Sequence, residues 1–318
     1  MKRFFALLSL TLVCAAAVFA DATFRQVMEF KFNVPMPVGA MPGGFPFSGP
    51  TEVSARVKGT LAYSSFGKFA SIIDSSKNQV ILIDTDGKRY AAASMADYLA
   101  QIARSTAGAP QMPDAARQIL QNMQFKFESH DTGRSEKIQG IDADEKELLF
   151  TMTIPIPAPG GNGNGIDITG KFSMWKPKPG EIERVPALRE MSSYYEQSRK
   201  TGNDAASLMT KMFTAFPGMS DKMSGLVGEL QQGGSVMLRL HGEFAMPGMA
   251  AMLAQAKAKG AQVPSIPDGP LFEFSSSVKE LNTDPVPDSV FQVPEGYQQA
   301  PLADVIKAFL PGAGAAAK

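Results

Sequence analysis

The feature that most constrains this chain is its opening alternation. Phe24, Gln26, Met28, Phe30 and Phe32 fall on one parity, and Arg25, Glu29 and Lys31 on the other. A period of two means a half-buried strand, apolar on one side and wet on the other. The pattern returns at 51–63, 68–74 and 78–84. Asp84-Thr85-Asp86-Gly87 then makes a turn, and Lys88 to Ala93 pairs back. Connections of hairpin length require antiparallel neighbours rather than βαβ crossovers. The opening is therefore a β-meander. Residues 35–50, with five prolines and four glycines, form a loop.

Helical spacing follows. Ser94 is an N-cap, Met95, Tyr98, Leu99 and Ile102 keep the 3.6-residue period, and Gly108-Ala109-Pro110 ends the helix. A second helix starts after Pro113. Strands resume at 124–130, 135–141, 146–154 and 166–175, the last closed by Pro177 and Pro179. From Val185 to Gln232 the pattern is helical, with a stripe of Leu188, Met191, Tyr194 and Tyr195. A strand at 235–244, a Met-rich helix at 246–258, a strand at 270–281, a segment at 289–294 and a short amphipathic end complete the order. The fold class expected is α+β: a curved antiparallel sheet, an open half-barrel, with helices packed on its concave face.

Residues 1–20 carry an export signature. Lys2 and Arg3 precede an apolar run from Phe4 to Phe19, and Val18-Phe19-Ala20 supplies small residues for cleavage before Asp21. The run is shorter than a membrane span, and no later apolar run is long enough to be one. The expected organisation is a signal peptide at 1–20, one α+β domain at 21–310 with a helical insertion at about 185–232, and a disordered tail at 311–318. The expected location is the periplasm or the exterior. Val13 is too large for a lipoprotein signal at Cys14, the only cysteine. With Cys14 in the signal, thiolate chemistry, disulfides and Cys-ligated metal are excluded from the domain.

Lysine and arginine total 31 and aspartate and glutamate total 31. There is no basic excess to hold nucleic acid. Motifs for catalysis are isolated fragments. Ser173-x-x-Lys176 and Lys200-Thr201-Gly202 carry the letters of penicillin-recognising enzymes, but Ser173 falls in a strand and Lys200 at a helix end. His130 and His241 have acidic neighbours but no third member in place. Asp142 to Glu147 has Glu147 where a calcium loop needs glycine, so it reads as a solvated strand connection. Gly160 to Asp167 is one imperfect copy of a repeat that binds calcium only when stacked. No catalytic residue, metal ligand or cofactor is expected.

The sequence Phe291-Gln292-Val293-Pro294-Glu295-Gly296-Tyr297 resembles the final strand of secreted proteins of the LolA-like lipoprotein-carrier superfamily and of related exported families. Ile72-Ile73-Asp74, leading through a turn to Val80-Ile81-Leu82-Ile83-Asp84, Lys88-Arg89-Tyr90 and a helix at Ser94, resembles their strand pair before the first helix. Lys137-Ile138-Gln139-Gly140-Ile141-Asp142 resembles one of their strand starts, with Ile141 where tyrosine is usual. The resemblance implies an open half-barrel whose helices enclose an apolar cavity for acyl chains. The chain departs from the carriers in its length and in the block at 185–232, and no functional residue of theirs has a counterpart to carry over.

Methionine supplies the one compositional hint of function. Eighteen are present, and methionine suits adaptable apolar surfaces. Met209, Met212, Phe213 and Phe216 share one helical face, and Met246, Met249 and Met252 another. These residues, with Trp175 at a cavity mouth, are the expected apolar lining for a lipid or lipoprotein acyl chain. The competing expectation is an envelope scaffold or interaction module with a filled core, docking through a sheet edge or the 35–50 loop.

Overall fold

The computed structural model describes residues 21–33, 49–107, 122–155, 165–200, 236–249 and 269–309, with four single or paired positions between 228 and 260. Its centre is one twelve-stranded open sheet. In chain order the strands are β1 (Ala22–Phe32), β2 (Thr51–Lys58), β3 (Leu61–Phe66), β4 (Phe69–Asp74), β5 (Gln79–Asp84), β6 (Arg89–Ser94), β7 (Gln124–Ile138), β8 (Ile141–Ile154), β9 (Ile166–Pro177), β10 (Arg239–Ala245), β11 (Phe272–Asn282) and β12 (Gln298–Gln299). The described helices are α1 (Met95–Ala107), α2 (Pro179–Arg184), α3 (Pro186–Lys200) and α4 (Leu302–Phe309), and Asp288–Phe291 forms one 3₁₀ turn. Across the sheet the order is β12-β6-β5-β4-β3-β2-β1-β11-β10-β9-β8-β7. Every pairing is antiparallel except the two-residue β12–β6 contact. The meander expected from the alternation is therefore present, and the sheet does not close.

Turn chemistry sets the register. Asp74 accepts from the backbone N–H groups of Ser76 (3.0 Å) and Lys77 (3.2 Å). Asp84 accepts from Gly87 N–H (3.0 Å) and from Arg89 (2.7 Å). Aspartate in these places folds the chain back on itself. The stretch 51–63, expected as one strand, is broken by Gly59, whose φ of 57° starts a turn. The strands expected at 124–130, 135–141 and 146–154 are two longer ones. Gln139 (φ 51°) and Gly140 (φ 77°) make a two-residue turn with both central residues left-handed. Asp142 to Glu147 is thus part of β8 and not a solvated connection: Glu145 and Glu147 are buried. The motif ending at Tyr297 also differs from its expected form. It is a 3₁₀ turn and extended chain that reaches strand pairing only at Gln298 and Gln299.

Cross-strand partners point to the same face. Val57, Ala62, Ile73, Val80 and Ala93 are successive partners from β2 to β6, and Ala22 of β1 is opposite Val57. Leu188 and Met191 of α3 pack with Ala22, Phe24, Val57 and Ala62. Met95 of α1 and Val305 and Ile306 of α4 pack with Val80, Leu82 and Ala91. Three helices therefore share one face. Leu188 and Met191 are almost wholly inaccessible, and each such burial stabilises by roughly 1.5–3 kcal/mol. On the opposite face, Ala70, Ile72 and Ile83 are covered by Val286 and Phe291 from the C-terminal segment. Lys58 ties that segment down, donating to the Val286 carbonyl (3.0 Å) and to Asp288 (2.6 Å).

The described residues include no helix long and apolar enough to cross a membrane. The loop at 35–50, the helix expected after Pro113, the glycine-rich loop, the stripes beyond residue 200, the signal and the tail lie wholly or mostly outside the described residues.

Candidate functional site

The half of the sheet from β1 to β7 carries two rows of partners on one face. One row runs Phe32, Phe272, Phe244, Gly170, Phe150, Phe127; the next runs Phe30, Phe274, Gly242, Phe172, Leu148, Ser129. Alternation along β1 places both on the same side as Phe24, whereas alternation along β9 places Trp175, which shares the α3 core with Phe24, on the other side. The rings touch. Phe32–Phe272 centroids are 4.9 Å apart, Phe172–Phe244 5.4 Å, Phe150–Phe172 5.8 Å and Phe172–Phe274 5.8 Å. Tilted and edge-to-face pairs at these separations add to simple burial. Unlike Leu148 and Met174, which are sealed in, these phenylalanines are only half-buried.

Two glycines make the floor continuous. A Cβ at Gly170 would overlap the Phe150 ring, and one at Gly242 the Phe274 ring. Glycine weakens a strand interior, and its usual reason is the close approach of another group. Here that group is a neighbouring ring, which lies across the bare backbone.

The reverse side of the same strands is charged. Glu29, Ser275, His241, Ser173, Glu147 and His130 form one row of partners. Lys171 pairs with Glu147 (2.6 Å), His130 with Glu147 (3.0 Å), His241 with Glu243 (3.0 Å) and Lys31 with Glu273 (3.0 Å). Burial alone would raise the Glu145 carboxyl, but hydrogen bonds from Thr132 and Ser173 and the Arg134 charge hold it below the usual carboxylate range. Ser173 is thus a hydrogen-bond donor to a buried carboxylate. Each histidine is one half of a Glu pair, and the described residues contain no group of three or more His, Cys, Asp or Glu suited to a metal ion.

Of the residues expected to line a cavity, Trp175 is buried in the cluster that holds Leu188, Met191 and Ile138, with the Arg239 guanidinium 5.7 Å from its ring centre. It anchors the core. Met246 lines a cavity of about 600 Å³ at the ends of β8, β9 and β10, beside Phe150, Thr151, Thr169, Gly170 and Lys171. Met249 is half-buried in the turn after it and donates its N–H to the Met246 carbonyl (3.1 Å). Met209, Met212, Phe213, Phe216 and Met252 lie outside the described residues. The rows of phenylalanine escaped that sequence-based list although Phe30 and Phe32 were in view. The signal that finds them is phenylalanine at alternate positions in several strands (30 and 32, 125 and 127, 272 and 274), joined with a lone glycine in the strand between.

No family model matches the sequence, and comparison with curated proteins returns no match.

Proposed function

We propose that this is an exported, non-catalytic protein that binds an apolar ligand, a lipid or a lipoprotein acyl chain, against the phenylalanine floor. One observation carries the reading: a contiguous, half-buried aromatic surface on one face of the sheet, flattened at Gly170 and Gly242. Apolar surface that is continuous and incompletely covered marks a place where something else binds. Phenyl rings bring no polar group that needs a partner, so they suit a chain of methylenes, each worth about 0.8 kcal/mol when buried. Polar groups then fix orientation at the rim rather than supply affinity. In this reading the open sheet curves toward the aromatic face, as large twisted sheets can, and the bound chain lies along the rings. The basic head and apolar run of residues 2–19 support export.

The test is extraction of the purified full-length protein with organic solvent, followed by mass spectrometry. A lipid or fatty acid near one equivalent is expected. An extract no different from the blank, together with no saturable uptake of a fluorescent fatty acid, overturns the reading and favours a scaffold with a filled core.

A further inference from the structure

We propose that β7 is a self-association edge, where a second copy of this chain pairs antiparallel about Phe127. The inference rests on the sheet alone and stands whether or not a lipid binds.

The two ends of the sheet differ. At one end β6 is capped by β12, two residues long and followed after Ala300 by Pro301 and α4. At the other end β7 runs for fifteen residues, and no described strand pairs with its outer side. A long open edge is a template for another strand unless something blocks it. Part of β7 is blocked. The register shifts between Asp131 and Ser135, and Gly133 there has φ 74°, which confines regular pairing to 124–130.

Within that stretch the side chains select a register. Lys126 and Glu128 are exposed and have no ion partner among the described residues. A two-fold axis perpendicular to the sheet keeps each face on its own side, so partners must share parity. Centred on Phe127, it sets Lys126 opposite Glu128 of the second copy, twice. Phe127 meets its own counterpart, and Phe125 meets Ser129. Centring on Lys126 or Glu128 opposes like charges, and centring on Ser129 sets Phe127 against Asp131. Centring on Phe125 leaves both charges unmatched, with Lys126 opposite Gln124. Opposite charges directly across a strand pair stabilise it and like charges destabilise it. The chosen register also continues the Phe150–Phe127 row into the second copy, giving one aromatic floor across both. A self-complementary patch of this kind is what closed two-fold symmetry requires.

The test is sedimentation velocity on the full chain over a range of concentrations. Wild type is expected to form a dimer that grows with concentration. Lys126→Glu alone, or Glu128→Lys alone, sets like charges opposite each other twice and is expected to weaken association by roughly tenfold or more. The double variant, and an equal mixture of the two single variants, restore complementary charge and are expected to dimerise again, which also demonstrates that the single variants are folded. Three results overturn the proposal: a wild type that stays monomeric at every concentration, a dimer indifferent to the reversals, or a β7 edge that accepts only an extended segment of a different protein.

Discussion

Gly242 of β10 lies directly opposite Phe274 of β11, and the missing Cβ is what lets the Phe274 ring lie across the strand. Gly242→Ala forces the ring off its rotamer or the strands apart, at a cost of about 1–3 kcal/mol. In a Phe274→Ala background the same change should cost much less, because the obstruction is gone. Urea unfolding of the four proteins in a double-mutant cycle checks this. Equal costs in both backgrounds would show that the ring does not lean on Gly242.

Glu181 connects α2 to the β7–β8 hairpin. It accepts from Arg184 and from the Asp142 backbone N–H (3.1 Å), while Arg184 also donates to the Gly140 carbonyl (3.1 Å). The Arg184 hydrogen bond is the main cause that lowers the Glu181 carboxyl from 4.5 to about 2. A carboxyl with a lower value in the folded state contributes stability above its unfolded value, and loses it as pH falls toward the folded one. Stability should therefore decline between about pH 4.5 and pH 2. Glu181→Gln should remove part of that slope while changing the fold little. Urea midpoints measured across this range, for wild type and variant, decide it.

Ser94 caps α1 reciprocally: its hydroxyl accepts from Asp97 N–H (3.0 Å) and donates to the Asp97 carboxylate (2.7 Å). Ser94→Ala should cost about 1 kcal/mol in thermal or urea unfolding. Ser94→Asp should keep the cap's acceptor yet set two carboxylates side by side, and so recover only part of the loss.

Leu188 sits in α3 within a cluster that gathers β1, β2, β3, β7, β8, β9 and β11, and none of its surface is accessible. Leu188→Ala should destabilise by about 2–5 kcal/mol. A loss below about 1 kcal/mol would mean that α3 does not seal this part of the sheet.

Much of the architecture was legible where the residues report a local rule. Alternation from Phe24 to Phe32 identified β1, Asp84 and Gly87 identified a hairpin, Ser94 the start of α1, and Leu188, Met191, Tyr194 and Tyr195 the buried stripe of α3. Long-range pairing was not legible. Nothing local shows that β1 joins β11, at the far end of the chain, because the hydrogen bonds that join them are made by backbone groups every residue has. Charge misled at Asp142 to Glu147. Acidic residues in a row suggest solvent, yet the Arg134, Lys171 and His130 partners that accommodate Glu145 and Glu147 come from other strands. The aromatic floor was missed for the same reason. Its rows run across strands, so no stretch of sequence holds more than two of its members in alternation. Methionine points to helices, whereas Met246 stands just past the end of β10.

The central claim is that the phenylalanine face holds an apolar chain, and titration with a fluorescent fatty acid tests it most directly. Wild type should bind saturably near one equivalent. Removing two rings with Phe172→Ala and Phe274→Ala should weaken binding by at least about tenfold, and Lys171→Ala on the opposite face should leave it unchanged. No saturable uptake by wild type, or equal losses from the two faces, contradicts the account.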